Sequence, residues 1–374
     1  MTSFAIKTLL ADPRKLLIAL LGVVFSLALV NVQGGLFLGM IRKSTLLIDY
    51  GEADIWVGHR GIQNADITAD IPEAWIHRVR ADPGVERAEA YIVSRGMMKL
   101  PDGSFESVLV VGADAVSRLG GPWSFAEGDL GFLDAPHAIS MERIDDPRLG
   151  YPQIGDSLEI SGHRARVAAK TEGIVGFITT PYVFTTSERA RRYTNTAPGR
   201  CSFYLVRVAA GHEPAEVARR LRDRLPYADV HTAQDFSRIT RMYWIVRTGL
   251  GASFASSTLL GLFVGLAMVA QSLYSFVLDH LENYAALKAI GATDRQIGGV
   301  LLGQGLVVAT IGSAIGHLVS WLLWAAVSTP KLTIAYTPAL LILGTALSFA
   351  LCVISALVPL ARIRRVDPVM VLQG

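Results

Sequence analysis

The sequence predicts a membrane protein with four transmembrane α-helices and a large α+β extracytoplasmic domain between helices 1 and 2. Hydrophobic residues make up 51% of the 374 positions and charged residues only 18%, which is too apolar for an ordinary soluble protein of this length. The apolar residues are concentrated near the two ends of the chain, whereas the middle holds most of the Asp, Glu, Arg and His. Two membrane regions therefore flank a soluble one.

The first transmembrane helix is predicted over Leu16–Leu38, which is long enough to cross a hydrocarbon core of ~30 Å at ~1.5 Å per residue. A cleaved signal peptide has a shorter apolar region and a small-residue cleavage site, whereas this tract leads directly into Arg42 and Lys43. We therefore interpret it as a retained span. The residues before it are expected to form a cytoplasmic helix on the inner membrane surface, with Pro13 at the turn into the span. Residues 1–41 thus make up the first region of the chain.

Three further spans are predicted in the last third of the chain. They cover Leu250–Leu278, Ile297–Val327 and Pro338–Ala361. Two of these tracts exceed the thickness of a bilayer, so we expect them to tilt or to project beyond it on the outer side. Residues 242–374 then contain spans 2 to 4, a cytoplasmic loop at 279–296 and a cytoplasmic tail.

Positively charged residues in the short loops predict that both termini are cytoplasmic. Three segments that share one side of a four-span topology contain Lys7, Arg14, Lys15, Lys288, Arg295, Arg362, Arg364 and Arg365. The other short loop, Ser328–Thr337, has only Lys331. We therefore expect a multi-pass protein of the inner (plasma) membrane, with the large domain in the periplasm.

The periplasmic domain is predicted over residues 42–241, with an α+β pattern. Strands are expected at ADIWVG, RAEAYIVSRGMMKL, SFESVLVVGAD, CSFYLVRVAA and ADVHTA, a hairpin at DSLEISGHRARVAAKTEGI, and helices at IPEAWIHRVRAD and EPAEVARRLRDRL. Pro72 falls in the first turn of the earlier helix, where proline is tolerated. The length suits one or two small domains.

No catalytic, metal or cofactor site is predicted. The sequence has no HExxH, no GxSxG and no GxxxxGK[ST] motif, and its histidines are scattered. Any ATP-driven work therefore needs a separate subunit. A net charge of +3 without basic runs argues against nucleic-acid binding. The two cysteines, Cys201 and Cys352, fall in different regions, so no disulfide is expected.

Small and polar residues within the spans indicate how the helices pack. Pairs of glycines four apart, Gly299 with Gly303 and Gly312 with Gly316, allow close contact between helices, either within one subunit or between two copies. His317 is polar at membrane depth but has no obvious carboxylate partner, so a proton-driven transporter is poorly supported.

The loop between spans 2 and 3 has the pattern of a short amphipathic helix. Its residues Leu281, Tyr284, Leu287 and Lys288 fall at helical spacing and form one face, while Ala285, Ala286 and Ala289 keep the other side slim. Gly291 provides a C-terminal stop before Thr293 and Asp294 begin the third span. Two interpretations remain open: a turn that rests on lipid headgroups, or a surface that docks onto a partner.

Three stretches are distinctive: AIKTLLADPRKLLIALLG, NYAALKAIGATDRQIGGVLLGQGLV and VPLARIRRVDPVMVLQG. Together they resemble the permeases of the FtsX/MacB family, especially its DevC-like branch. The first stretch is similar to the opening helix and first span of the family. NYAALKAIGATDRQIGGVLLGQGLV is similar to its most recognisable stretch, although Asn283 stands where the family commonly has Glu. The end of the chain resembles the family's tail, with Pro359, Arg362, Asp367 and Pro368 in register.

The resemblance implies a type VII ABC permease that transmits the motion of an ATPase mechanically. The partners implied are a cytoplasmic ABC ATPase dimer, a second permease copy, a periplasmic adaptor (membrane-fusion) protein and a TolC-like outer-membrane channel, beside membrane lipid. The loop would then be the part that the ATPase holds, through Leu281, Tyr284, Leu287, Lys288, Ile290 and Gly291. The glycines at 299, 303, 312 and 316 would pack helices or the dimer.

Other functions fit the same sequence. Within the same fold, the permease would release lipoproteins from the inner membrane. In a signalling role, like that of FtsX itself, it would activate a cell-wall hydrolase outside the cell. An anchored enzyme is disfavoured because the motifs of catalysis are missing from the sequence.

Overall fold

The computed structural model describes residues 12–363. Within this range, residues 12–39 and 251–363 form a helical unit, and Met40–Leu250 form an α+β unit that we call the outer unit. The predicted surface helix before Pro13 lies almost entirely outside the described residues. So does the part of the tail that carries Asp367 and Pro368.

The elements follow one another as eleven α-helices and twelve strands in the described residues. The helices are α1 Pro13–Lys43, α2 Leu46–Asp49, α3 Ile76–Arg80, α4 Asp146–Leu149, α5 Ser187–Tyr193, α6 Pro214–Arg224, α7 Ala233–Met242, α8 Leu250–Asp279, α9 Leu281–Ala289, α10 Asp294–Val327 and α11 Pro338–Ile363. The strands are β1 Ile55–His59, β2 Ile71–Pro72, β3 Val85–Lys99, β4 Phe105–Ala113, β5 Phe125–Glu127, β6 Ala138–Glu142, β7 Ser157–Ile160, β8 His163–Thr171, β9 Tyr182–Thr186, β10 Arg200–Cys201, β11 Phe203–Val208 and β12 Ala228–Thr232. Short 3₁₀ segments cover Glu73–Trp75, Leu130–Asp134 and Arg143–Asp145, and a π-helical turn covers Tyr243–Arg247.

Four helices, α1, α8, α10 and α11, are long and apolar enough to cross a membrane, which confirms the four predicted spans. Helix α10 begins at Asp294, as the Thr293 and Asp294 signals predicted and three residues before the apolar tract at Ile297, and Thr293 and Gln296 form a capping box there. The Thr293 hydroxyl accepts a hydrogen bond from the Gln296 backbone N–H at 3.4 Å, and the Gln296 side chain accepts one from the Thr293 N–H at 2.9 Å. With 34 residues, α10 is about 51 Å long and exceeds a hydrocarbon core of ~30 Å.

Small residues bring α1 and α8 into close contact. A Cβ at Gly265 would lie 1.7 Å from Ser26 Oγ and 2.8 Å from the Gly22 carbonyl oxygen. Ser26 also donates a hydrogen bond to the Gly261 carbonyl at 2.9 Å. Helices in lipid gain little from burying apolar surface, so backbone contacts of this kind and hydrogen bonds hold them together.

A polar network joins α1, α10 and α11 within the helical unit. Thr345 gives its hydroxyl proton to the Leu341 carbonyl at 2.8 Å, so it accepts from His317 Nε2 at 2.8 Å. His317 Nδ1 then accepts from the Asn31 side-chain amide at 3.2 Å, and that amide also donates to Ser320 Oγ at 3.0 Å. The contacts of His317 are therefore those of a tether between helices.

The outer unit is built on one large, mostly antiparallel sheet, with strand order β12-β1-β11-β3-β4-β9-β6-β8-β5 and β7 paired to β3 and β8. The β4–β9 and β6–β8 pairs are parallel. Because side chains alternate along a strand, each strand supplies both faces. On β11, Tyr204 and Val206 enter a core covered by α3, α5 and α6, whereas Phe203 and Leu205 enter a second core with Trp56 and Phe236.

The structure confirms the α+β fold of the outer unit and the predicted strands and helices within it. The helix expected from Pro72 onward begins as a 3₁₀ segment at Glu73–Trp75 before α3. Among the elements that were not predicted are strands β5, β6 and β9 and helices α2, α4, α5 and α7. Their segments mix polar residues with apolar ones, as in YVFTT of β9, although every residue of that strand is buried.

A fragment of the outer unit that ends at Arg247 should unfold at a higher temperature than one that ends at Arg241, when both begin at Lys43. The longer fragment keeps Trp244, whose ring centroid lies 3.9 Å from that of Phe177 and whose side chain is 7% exposed. Loss of a buried Trp costs ~3–5 kcal/mol, so we expect a difference of about 6–20 °C by circular dichroism. Equal unfolding temperatures would contradict a contribution of this contact to the fold.

Candidate functional site

The loop between α8 and α10 is a well-defined short helix, α9. A Schellman motif ends it: the Ala292 N–H donates to the Leu287 carbonyl and the Gly291 N–H donates to the Lys288 carbonyl, both at 2.9 Å. Gly291 has φ +102°, a conformation that only glycine adopts without strain. The predicted helix stop at Gly291 is confirmed, and the chain turns directly into the capped start of α10.

One side of α9 is anchored in the helical unit. Tyr284 is 1% exposed and packs with Val277, Ile297 and Leu301 in an apolar cluster. Burial raises the pKa of Tyr284, whose hydroxyl lies beside the Gln304 side chain. This packing connects α9 to the end of α8 and the start of α10.

Other predicted contact residues lie on the same anchored side. Leu281 and Leu287 pack against the Tyr284 cluster. The Lys288 side chain is only 12% exposed and forms a salt bridge with Asp294 at 3.0 Å. These residues therefore face the chain's own spans, and a contact of this face with the ATPase stays a prediction. Helical spacing shows which residues share a face, but it does not show whether that face meets the chain's own spans or a partner.

The outward side of the loop carries Glu282, Asn283, Ala289, Ile290 and Gly291. Ile290 is 86% exposed, which is unusual for a large apolar side chain that follows a rigid helix end. Of the predicted coupling residues, Ile290 and Gly291 are therefore the ones in a position to meet another protein.

The predicted packing glycines fall into two groups. A Cβ at Gly312 would lie 2.8 Å from Val23 Cβ, and one at Gly316 would lie 2.9 Å from a methyl carbon of Leu27, so both glycines contact α1 of the same chain. Gly299 is exposed, and no described atom lies within 4 Å of a Cβ placed there. Gly303 is half-buried. A contact of Gly299 and Gly303 with a second copy stays a prediction.

An ionic contact that the sequence analysis missed lies close to the loop. Lys15, at the start of α1, forms salt bridges with Asp12 at 3.2 Å and with Asp279, the last residue of α8. Ser272 also donates a hydrogen bond to the Lys15 carbonyl at 2.6 Å. The sequence does show opposite charges, Lys15 and Asp279, each at the end of an apolar tract. Because the two residues are far apart in the sequence, the sequence alone does not show that they form an ion pair.

Metal chemistry has no visible basis in the described range. Residues 12–363 contain no group of three or more His, Cys, Asp and Glu side chains that could hold an ion.

Two family profiles together cover most of the chain. The FtsX-like permease C-terminal family matches residues 255–368, which include α9 and the three last spans. The MacB-like periplasmic core domain matches residues 16–224. The chain belongs to the FtsX/MacB family of ABC transporter permeases. This confirms the resemblance and the type VII permease fold, and the DevC-like branch stays a prediction.

Individual relatives agree with this family. The permease is 24% identical over 321 residues to an uncharacterized ABC transporter permease of Mycobacterium tuberculosis strain CDC 1551, and equally to one of strain H37Rv, over 83% of this chain and 82% of each relative. As an ABC transporter permease, the chain works as a membrane subunit beside a separate ATPase.

Solved outer domains of other transporters resemble part of the chain. The periplasmic region of MacB from Actinobacillus actinomycetemcomitans is 9% identical, covers 50% of this chain and 92% of that structure, and has a TM-score of 0.39. The extracellular domain of the noncanonic ABC-type transporter YknZ from Gram-positive bacteria is 14% identical, covers 48% of this chain and 99% of that structure, and has a TM-score of 0.36.

Leucine at Gly316 and leucine at Gly299 should have different effects, although both lie on α10. Gly316→Leu forces α10 away from Leu27 and should destabilise the purified chain, because overpacking typically costs ~1–3 kcal/mol. Gly299→Leu meets no described atom of its own chain and should leave the unfolding temperature of the monomer unchanged. Thermal unfolding in detergent measures both. Equal destabilisation by the two variants would contradict the assigned packing.

Proposed function

We propose that this permease transmits ATPase-driven motion mechanically from the cytoplasm to its outer unit, and that it does so within an export system of the inner membrane. Its termini and α9 face the cytoplasm, and the outer unit faces the periplasm. The Lys and Arg residues of the short loops support this orientation.

The observation that carries the proposal is the two-sided construction of α9. Its outward end presents Ile290, 86% exposed, while its inward side inserts Tyr284, 1% exposed, between α8 and α10. A force on the outward end therefore reaches two spans through a packed contact. A simple connector would need neither the exposed apolar residue nor the buried aromatic one.

The long helices α1, α8 and α10 would carry this motion to the outer side of the membrane. Helix α1 runs without interruption from Pro13 to Lys43, and therefore joins the helical unit covalently to the outer unit. Helix α8 has 30 residues and α10 has 34, so both are long enough to extend beyond a bilayer. We propose a periplasmic adaptor and a TolC-like channel as the outer partners.

Ile290→Asp should abolish retention of the ATPase. A carboxylate at this position would have to lose its water in the proposed contact, and a cost of several kcal/mol lowers affinity more than about tenfold. The measurement is the amount of ATPase that co-purifies with the tagged permease from its native membrane.

A matched control is available in the outer unit. Val116 is 92% exposed, so Val116→Asp makes the same chemical change on the other side of the membrane and should leave ATPase retention unchanged. If Ile290→Asp retained as much ATPase as Val116→Asp, α9 would not be the docking site. The proteins that co-purify with the permease distinguish its two possible roles. A periplasmic adaptor would indicate export, and a cell-wall hydrolase would indicate signalling.

We also propose a second permease copy, seated on α8. In the most apolar stretch of α8 only 17% of the residues are buried, whereas the corresponding share is 33% or 39% in the other three spans. Gln271 is exposed on this helix, about 12 Å before its last residue, Asp279, and an exposed amide is costly in hydrocarbon. A second copy would cover that amide.

Cross-linking tests this surface. Gln271→Cys should form a disulfide-linked dimer under mild oxidation, and Ile342→Cys, which is 70% exposed on α11, should not. The native Cys201 and Cys352 are both buried, so they contribute little background. Equal cross-linking at both positions, or none at Gln271, would contradict a second copy at α8.

A further inference from the structure

A small pocket in the outer unit contains an unpaired acidic group and an unpaired basic group. Asp66, Arg95, Leu109, Gly176 and Tyr182 are among the residues that line it. Asp66 comes from the segment between β1 and β2, Arg95 from β3, and Tyr182 from the start of β9. The pocket lies within the outer unit and is separate from the coupling loop.

The Asp66 carboxyl has one hydrogen-bond donor and no cation. Tyr182 donates its hydroxyl proton to Asp66 Oδ1 at 2.9 Å, and no described Lys, Arg or His lies within salt-bridge distance of Asp66. Burial raises the pKa of Asp66 to about 6, and the hydrogen bond from Tyr182 opposes this only in part. At neutral pH the pocket thus holds a partly desolvated negative charge, on a side chain that is half-buried.

The dimensions of the pocket limit what approaches this charge. The centre of a water-sized group can occupy only about 10 Å³ inside the pocket. That is room for one such group. A Cβ at Gly176 would lie 2.3 Å from the Tyr182 hydroxyl oxygen, so a side chain at this position would displace the hydroxyl that donates to Asp66.

Arg95 gives the same pocket a positive group. Its side chain is exposed and forms no salt bridge with the described residues, so its guanidinium remains available to an anion. A desolvated carboxylate and an available guanidinium that line one pocket suit a ligand with both charges. An ammonium group has three donors and is about as large as water, so it fits beside Asp66.

We propose that this pocket binds a small zwitterion of the amino-acid class, with its ammonium group on Asp66 and Tyr182 and its carboxylate on Arg95. This site goes beyond the proposed coupling function and does not depend on it. Burial deprives the Asp66 carboxylate of hydrogen bonds from water. The ammonium group of the ligand would supply a hydrogen bond between two charged groups, which is stronger than a neutral one.

The pocket adjoins the segment of the outer unit that precedes α8. Gly176 and Ile178 line the pocket, and Phe177 between them points to Trp244, with ring centroids 3.9 Å apart. Trp244 belongs to the π-helical turn that precedes α8. A ligand in the pocket therefore restrains a loop that packs on this turn.

Glycine and methylammonium chloride are the test ligands, and tetramethylammonium chloride at the same ionic strength is the control. At pH 7.5, glycine should raise the unfolding temperature of the full-length protein in detergent by about 2 °C or more. Methylammonium should have a smaller effect, because it cannot contact Arg95. Tetramethylammonium should have none, because it exceeds the space beside Asp66.

Two substitutions test which side chain binds which charged group of the ligand. Asp66→Asn should abolish the response to both ligands, and Arg95→Gln should reduce the response to glycine to that of methylammonium. A response to glycine that survives Asp66→Asn, or a tetramethylammonium response equal to that of glycine, would overturn the site. An unchanged response to glycine in Arg95→Gln would overturn the assignment of a zwitterion.

The pH dependence supplies a check that the Asp66→Asn variant is folded. The titratable and charged groups around Asp66 are Tyr182 on β9 and Tyr91 and Arg95 on β3, and burial keeps both tyrosines neutral by raising their pKa. The folded pKa of Asp66 exceeds the usual value of 3.8, so its ionisation costs stability as pH rises from about 4 to about 6. Without ligand, Asp66→Asn should therefore unfold at a higher temperature than the native chain at pH 7.5, and the difference should vanish near pH 4. A lower unfolding temperature at pH 7.5 would contradict a desolvated carboxylate at this position.

Discussion

The packing of Tyr284 against α8 and α10 is the contact on which the position of α9 depends. It places a large side chain, 1% exposed, where α9 meets both neighbouring spans. Burial of an aromatic residue contributes ~3–5 kcal/mol by comparison with alanine, which is enough to keep a nine-residue helix in place. Without it, α9 would be too short to hold its own conformation in water.

The four spans are held by contacts that suit a membrane. Gly265 brings α8 against α1, and Gly312 and Gly316 bring α10 against α1. The Asn31, His317 and Thr345 side chains add hydrogen bonds across α1, α10 and α11. Such contacts have fixed geometry, unlike a fluid apolar interface. Helix α1, which contacts both α8 and α10, continues into the outer unit.

The sequence predicted the parts of this structure that depend on local patterns. Long apolar tracts identified the four spans, and the Gly291 and Thr293 signals identified where α9 ends and α10 begins. Alternating apolar residues located strands such as β3 and β11. These features depend on neighbours within a few residues, so a single sequence reveals them.

The parts that the sequence did not predict depend on distant residues. The buried position of Tyr284 is decided by Ile297 and Leu301, and periodicity alone cannot identify such partners. Strand β9 was missed because its threonines look exposed until the parallel pairing with β4 buries them. The Asp66 pocket likewise combines residues from separate strands and loops. Family resemblance located the loop correctly but did not show which side of it was free.

The most direct measurement of mechanical transmission is the distance between two spin labels at Val116→Cys, one in each copy of the permease, in the complex with its ATPase. Val116 lies in the outer unit and is 92% exposed, so a label there should not disturb the fold. If ATP binding in the cytoplasm moves the outer units, the distribution of distances should shift when ATP is added. An unchanged distribution, in a complex that demonstrably binds ATP, would contradict transmission through the spans.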